Sequence, residues 1–302
     1  MDAVPLNFIE RVCVCLRDHY ILRIITKLSS AWGVVSIATN DKIHTLVVYV
    51  DTITGKVYAA ALPDCAGWDN DTPVPLESVD LAFITNFSVE SVRTNYPSNW
   101  REISLKQLKR LACFIKPTRE ERPPGCFDSL ISNDLNLTKE AEHTFRFREL
   151  LSLGLPVDSV DLTISDGLED AVEKFFDQVG PLYHVIVNNK QATLTERTVD
   201  KIIEKFFPVH CSVLILKPRI SREQLKRLIL KCEMSKVHVV IYVRPEESTD
   251  SLDATKLFDF DKYYSQCKIE EGGVYTYRKD VKKTLKVHVV HYKGTMKWSW
   301  SG

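Results

Sequence analysis

The feature that most constrains the fold is an alternation of short β-rich runs with amphipathic helical runs after residue 158. Helical periodicity occupies the segments between the β-rich runs, at 168–178, 197–207 and 221–232. Strand, helix and strand at a spacing of roughly 25 residues predict parallel strands joined by crossover helices. One such unit cannot bury its own apolar face, so the units must stack. The β-rich runs lie at 159–165, 183–188, 212–217, 236–243 and 286–293, and the last interval is about double the others.

We therefore predict an α/β fold whose main part is a degenerate, leucine-rich-repeat-like array of strand–helix units. The asparagine or cysteine ladder of true leucine-rich repeats is missing after the run SVLILKPRI at 212–220. Two β-rich runs around a Thr-Gly-Lys turn within 43–62 predict an early β-hairpin. SVDLAFIT at 78–85 is interpreted as a further strand. Three prolines and several charges in 115–129 indicate an internal boundary at 116–128.

Two segments of the chain share the pattern Ser-x-x-Gln-Leu-Lys-Arg-Leu, beginning at Ser104 and at Ser221. In each, the serine can accept a hydrogen bond from a free backbone amide while the glutamine reaches back to the serine's own amide. Both segments are therefore predicted to be capped helices. Asp166 and Glu169 have the same spacing ahead of the helical run 168–178.

The charge balance excludes some classes of partner. The 302 residues include 40 basic and 40 acidic side chains, so there is no overall positive field for nucleic acid or an anionic membrane. We find neither an apolar stretch that could span a bilayer nor a secretory signal. The eight cysteines are scattered, and Cys13, Cys113, Cys211 and Cys232 lie in apolar runs, which is typical of core thiols in a reducing compartment. We expect an intracellular protein, cytoplasmic or nuclear.

No motif in the sequence indicates catalysis. The eleven glycines form neither a dinucleotide fingerprint nor a phosphate loop, and there is no nucleophile elbow. Cys13 and Cys15 would point to opposite sides of a helix, and His288 and His291 to opposite faces of a strand. We predict a protein that is not an enzyme and uses no cofactor or metal. A catalytic set assembled only by the fold stays open.

The N-terminal segment carries two apolar stripes at helical spacing, and Pro5 suits the first turn of the first helix. Asp18 lies between the stripes as a candidate cap. A helical hairpin of this length is below the roughly 40 residues that fold alone, so its apolar residues must pack on the rest of the chain or on a partner. The first stripe is Phe8, Ile9, Val12, Cys13 and Leu16, and the second is Leu22, Ile25, Leu28, Ser29 and Trp32.

These residues resemble the F-box: Val4-Pro5, an apolar helix, a turn with Asp18 and Leu22, and a terminal Trp32. Val4 replaces the usual leucine, Ser29 replaces the usual cysteine, and the Asp and Leu are separated. The match covers about a tenth of the chain. The whole layout, with a divergent repeat region after the box, is similar to the large F-box families found in nematodes.

The resemblance implies a substrate receptor of a cullin–RING ubiquitin ligase, with an F-box-like domain at 1–40 and an α/β repeat domain at 41–302. Such proteins bind a Skp-type adaptor through the box and a protein substrate through the C-terminal domain. Two alternatives stay open: helices that merely cap the repeat array, and a scaffold without adaptor contact. The implied adaptor-binding residues are Pro5, Phe8, Ile9, Val12, Leu16, Leu22, Ile25, Leu28 and Trp32.

A candidate substrate surface follows from strand alternation. A histidine recurs just after the start of three β-rich runs, and side chains two residues apart share a face. Stacked parallel strands would then align the histidines in a row beside tyrosines, which suit protein recognition. The alternative is a sheet covered on both faces, in which these residues are buried. The candidate residues are His184, Asn188, His238, Tyr242, His288 and Tyr292.

Overall fold

The protein has a mixed α/β fold, as the sequence predicts. The structure is a computed structural model. The chain divides into two compact units, the first comprising 1–120 and 129–157, the second 121–128 and 158–302. The residues described are 4–15, 24–63, 72–92, 99–115, 123–139, 144–190, 193–246, 257–263, 266–270, 273–280, 283–292 and 295–301.

The first unit combines four helices with a five-stranded mixed sheet in the order β5-β3-β1-β2-β4, counted over the described residues. The helices are α1 (Leu6–Cys15), α2 (Ala31–Asn40), α3 (Leu105–Phe114) and α4 (Thr144–Leu151). The strands are β1 (His44–Asp51), β2 (Val57–Pro63), β3 (Ile84–Val92), β4 (Arg101–Ile103) and β5 (Asp134–Leu137). β1 and β2 form the predicted hairpin, since Val50 is paired with Val57 in antiparallel register.

The segment 78–85, interpreted as a strand, is mostly not one. Short 3₁₀ turns occupy Leu76–Ser78 and Leu81–Phe83, and β3 begins at Ile84. The Asp80 carboxylate accepts a hydrogen bond from the Ala82 amide at 2.9 Å, which holds the second turn. The aspartate that fits an alternating strand pattern thus stabilises a turn instead.

The second predicted apolar stripe does not lie on one continuous helix. Ile24 and Ile25 are helical, but the chain turns after them, and α2 begins at Ala31, so Trp32 lies in its first turn. The turn approaches α2 closely at Gly33, where a Cβ would lie 1.9 Å from the Leu28 carbonyl oxygen. The described part of the predicted stripe, from Ile25 to Trp32, is therefore not one helical face, and Leu22 lies outside the described residues.

The second unit alternates strands and helices and then ends in a β-meander. Strands β6 to β9 are parallel in sequence order, and β13 pairs antiparallel with β9. The described strands follow the order β6-β7-β8-β9-β13-β12-β11-β10. They are β6 (Ser159–Ile164), β7 (His184–Asn189), β8 (Ser212–Ile220), β9 (Val239–Pro245), β10 (Gln266–Glu270), β11 (Gly273–Asp280), β12 (Lys283–Tyr292) and β13 (Thr295–Ser301). The helices are α5 (Glu169–Gln178), α6 (Glu196–Lys205), α7 (Arg222–Ser235) and α8 (Phe260–Tyr263).

Local capping explains where α3 and α7 begin. Ser104 and Ser221 form full capping boxes with Gln107 and Gln224, as the shared sequence pattern predicts. The predicted box at Asp166 and Glu169 is wrong. Leu168 is the N-cap residue of α5, and no side chain caps that helix end. In α5 the apolar face holds the first turn instead, since Leu168 and Val172 are buried.

Candidate binding surfaces

The N-terminal helices bury a small apolar cluster. Ile9 and Cys13 of α1 and Ile43 just before β1 are fully or almost fully buried, and Trp32 packs against them. The ammonium of Lys42 pairs with the Glu10 carboxylate at 2.7 Å, which joins α1 to the end of α2. Burial raises the pKa of the Cys13 thiol. Because Ile43 directly precedes β1, it connects the cluster to the sheet of the first unit.

The same helices leave several large apolar side chains exposed. Leu6 is 62% exposed and Phe8 is 54% exposed, although both lie on the helix that carries the buried Ile9. Exposed apolar residues continue along the segment to α2. We call this set the N-terminal apolar surface; its members are Leu6, Phe8, Ile24, Leu28, Val34 and Ile37.

The residues implied by the F-box resemblance fall into three groups. Pro5, Phe8 and Leu28 are exposed, whereas Val12, Ile25 and Trp32 are half-buried. Ile9 is fully buried, so in this structure it is a core residue and not part of an accessible surface. Leu16 and Leu22 lie outside the described residues.

In the second unit the two faces of the sheet differ sharply. One face carries a register row of apolar side chains that are at most 1% exposed: Val160, Val185, Leu214, Ile241, Trp298 and Val289. The opposite face carries the adjacent row, in which every side chain is half-buried: Asp161, Ile186, Ile215, Tyr242, Lys297 and Val290. We call this second face the open face.

The predicted histidine row is wrong, although His184 and His288 do share the open face. Register aligns His184 with Val213, Val213 with Val240, Val240 with Ser299 and Ser299 with His288. Three strands therefore separate His184 from His288. His238 precedes β9, and its ring lies 5.8 Å from that of His210. The sequence Lys-Val-His-Val-Val occurs at 236–240 and again at 286–290. The two copies are not equivalent, because β13 lies between β9 and β12 in the sheet.

The other candidate residues are accessible in part. Asn188 on β7 and Tyr242 on β9 are half-buried on the open face. The ammonium of Lys297 lies over the Tyr242 ring, 5.6 Å from its centroid, and forms a cation–π contact with one face of the ring. Tyr292 belongs to β12, but its side chain lies outside the described part of the structure.

Two unpaired polar atoms lie on the open face. Oδ1 of Asp161 and Nδ1 of His184 are buried without a hydrogen-bond partner among the described residues. Burial raises the pKa of the Asp161 carboxyl to about 6 and lowers the pKa of the His184 imidazole. The His184 ring also stacks on Phe127 at 5.0 Å between centroids. Both groups are therefore shifted towards their neutral forms.

Sequence reasoning missed Asp161, Phe127 and Lys297. The sequence does contain a sign of Asp161: it is a carboxylate within the apolar β-rich run Ser-Val-Asp-Leu, so a strand there places it on one face of the sheet. No local pattern links Phe127 to His184, or Lys297 to Tyr242, because the partners are far apart along the chain. The contact between Lys297 and Tyr242 depends on the pairing of β13 with β9.

The described residues contain no group of three or more histidine, cysteine, aspartate or glutamate side chains placed to hold a metal ion. Within the same residues, no helix combines the length and apolar character required to cross a membrane.

Comparison with known proteins adds no relative. No family model matches the chain, and neither do the curated proteins or the solved structures.

Proposed function

We propose that this chain is a substrate receptor of a cullin–RING ubiquitin ligase, intracellular and without bond chemistry of its own. Its N-terminal helical segment, 1–40, would bind a Skp-type adaptor, and its second unit would bind a protein substrate. The observation that carries the proposal is the N-terminal apolar surface. It lies within the segment that resembles an F-box.

The burial pattern of the N-terminal helices favours a docking role over a capping role. Helices that merely capped a stack would bury their apolar side chains, yet Leu6, Phe8 and Val34 are exposed. Covering one such side chain contributes roughly 1.5–3 kcal/mol. A partner that covers several of them gains a hydrophobic interface whose energy is concentrated in a few anchors.

The geometry of the second unit supports the substrate-binding half of the proposal. Strands β6 to β9 start at residues 159, 184, 212 and 239 and are joined by helices α5 to α7, which fits a stacked strand–helix array. The open face presents Tyr242, Lys297 and Asn188 together with aliphatic side chains. A mixed aromatic, cationic and apolar surface is typical of protein recognition.

Co-purification with a Skp-type adaptor tests the proposal. We expect the full chain to retain the adaptor and Phe8→Asp to lose it, because a carboxylate would be desolvated within an apolar contact. Phe145→Asp is the matched control, since Phe145 on α4 is 65% exposed in the same unit. That variant should retain the adaptor. Absence of adaptor from the wild-type sample, or equal retention by Phe8→Asp, would rule out the adaptor-binding role and leave the scaffold alternative.

A further inference from the structure

A groove in the first unit lies outside every surface predicted from the sequence. It has a volume of about 500 Å³ and lies between α3 and the two 3₁₀ turns that precede β3. Its size is within the range of protein ligand sites, roughly 300–1,000 Å³. Its principal lining residues are Leu76, Leu81, Ile103, Arg110, Leu111 and Phe114.

One wall of the groove is a helix that is firmly held. The capping box of Ser104 and Gln107 fixes the start of α3, and the side chains of Leu108 and Ala112 on its underside are buried. Residues at i, i+3, i+4 and i+7 from Gln107 then line the groove as one helical stripe. The wall is therefore preformed, and a ligand would not have to order it on binding.

Some of the apolar side chains that line the groove are exposed to water. Phe114 is 69% exposed and Leu81, on the facing turn, is 37% exposed. Leu111 between them is half-buried. A small molecule would leave most of the Phe114 ring in water, whereas ligand sites bury most of a small ligand's surface. Exposed apolar walls of this kind favour a protein segment that covers the ring.

The charges at the groove are cationic. Arg101 at the rim is neutralised by Glu77, with 2.5 Å between guanidinium and carboxylate. Arg110 forms no hydrogen bond or ion pair with any described residue, and α3 also carries Lys106 and Lys109 without an acidic residue. The groove therefore offers the Arg110 guanidinium beside an apolar floor. Arginine and aromatic side chains are the types enriched in protein interfaces.

We propose that this groove binds an acidic–apolar peptide segment of a partner protein. An apolar side chain of the segment packs on Leu81, Leu111 and Phe114, and a carboxylate pairs with Arg110. The site is separate from the N-terminal apolar surface, so it gives the first unit a second protein contact. Nucleic acid is disfavoured as the occupant because the Glu77 carboxylate lies at the rim and, apart from Phe114, the apolar lining residues are aliphatic.

Selection from a library of random peptides displayed on phage, against the purified full chain, tests the proposal without assuming a sequence. We expect enriched peptides to combine Asp or Glu with Leu, Ile or Phe. Arg110→Glu and Phe114→Ser should each weaken their binding by about tenfold, the loss typical of an interface anchor. Lys109→Glu, a neighbouring exposed cation that does not line the groove, and Phe145→Ser should bind as the wild type does.

A charge exchange makes the test specific. Replacing the acidic residues of an enriched peptide by lysine should abolish binding to the wild type and restore it to Arg110→Glu. Both groove variants should still retain the Skp-type adaptor, and Phe8→Asp should still bind the peptide, so this proposal and the proposed function fail separately. Enriched peptides without acidic residues, equal binding by Arg110→Glu, or an oligonucleotide that competes for the site would overturn the proposal.

Discussion

The indole N–H of Trp300 on β13 donates a hydrogen bond to the Glu233 carboxylate on α7 at 3.1 Å, and both side chains are buried. This bond joins the terminal meander to the last helix of the strand–helix alternation. Hydrogen bonds to charged groups contribute more than neutral ones, about 1.5–3 kcal/mol. A buried carboxylate that loses its donor is costly.

We predict that Trp300→Phe lowers the free energy of unfolding by about 2 kcal/mol more than Trp298→Phe does. Trp298 is the matched control because it is equally buried on the same strand, while its indole nitrogen has no hydrogen-bond partner among the described residues. Both substitutions remove similar ring volume, but only Trp300→Phe breaks a hydrogen bond to a buried carboxylate. Urea unfolding measures it. Equal losses in the two variants would contradict the assigned role of that bond.

The helix caps give a second prediction. Ser104→Ala and Ser221→Ala should each lower the free energy of unfolding by about 1 kcal/mol, because each removes the acceptor for a first-turn amide. Ser30→Ala is the control: Ser30 is the N-cap residue of α2 but forms no side-chain cap bond. Thermal unfolding of the three variants checks the difference. A loss for Ser30→Ala as large as for Ser221→Ala would refute the capping argument.

What the sequence predicts well is local. The capping boxes and the alternation of β6 to β9 with α5 to α7 follow from residues within one turn or one strand, and both are found. Val185 and Ile241 face away from the half-buried residues, as alternation requires.

What fails depends on partners far along the chain. The β-rich runs 236–243 and 286–293 were predicted to belong to one array, yet β9 is paired in parallel with β8, and β12 lies inside an antiparallel meander. The same four residues, Ser-Val-Asp-Leu, begin the runs at 78–85 and 159–165, both predicted as strands, yet Asp80 caps a turn while Asp161 lies in β6. The α3 groove was missed because it requires β4 and two 3₁₀ turns to meet one helix face.

The cysteines provide a third prediction and a correction. Cys113 and Cys211, expected in the core, are exposed, because an apolar run does not reveal which of its residues faces water. Cys13 and Cys232 are buried, and burial raises the pKa of both thiols.

Iodoacetamide should therefore alkylate Cys113 and Cys211 in the folded protein and leave Cys13 and Cys232 unmodified, because the thiolate is the reactive form and access is required. Peptide mass mapping after a short reaction measures this. The same reaction in urea is the control, and there all four should be modified. Alkylation of Cys232 at the rate of Cys113 in folded protein would contradict its burial.

The last prediction concerns the pH dependence that Asp161 gives to stability. Burial raises the pKa of its carboxyl from 3.8 to about 6, so the folded state holds a proton that the unfolded state releases. Stability then falls as pH rises from about 4 to 6, and the full loss persists above pH 6. We expect about 1 kcal/mol, below the full linkage value, because the carboxyl is only half-buried.

Asp161→Asn removes this titration and keeps the side-chain shape. The difference in the free energy of unfolding between the variant and the wild type should change with pH. At pH 8 this difference should be more favourable to the variant by about 1 kcal/mol than it is at pH 4. For His184→Gln the expected pH dependence is reversed: its free energy of unfolding relative to the wild type should be higher at pH 4 than at pH 8. Burial lowers the pKa of His184, so the wild type loses stability as pH falls below 6.5 and this variant does not. Urea unfolding at both pH values measures each difference, and a pH-independent difference for Asp161→Asn would show that its carboxyl titrates alike in both states.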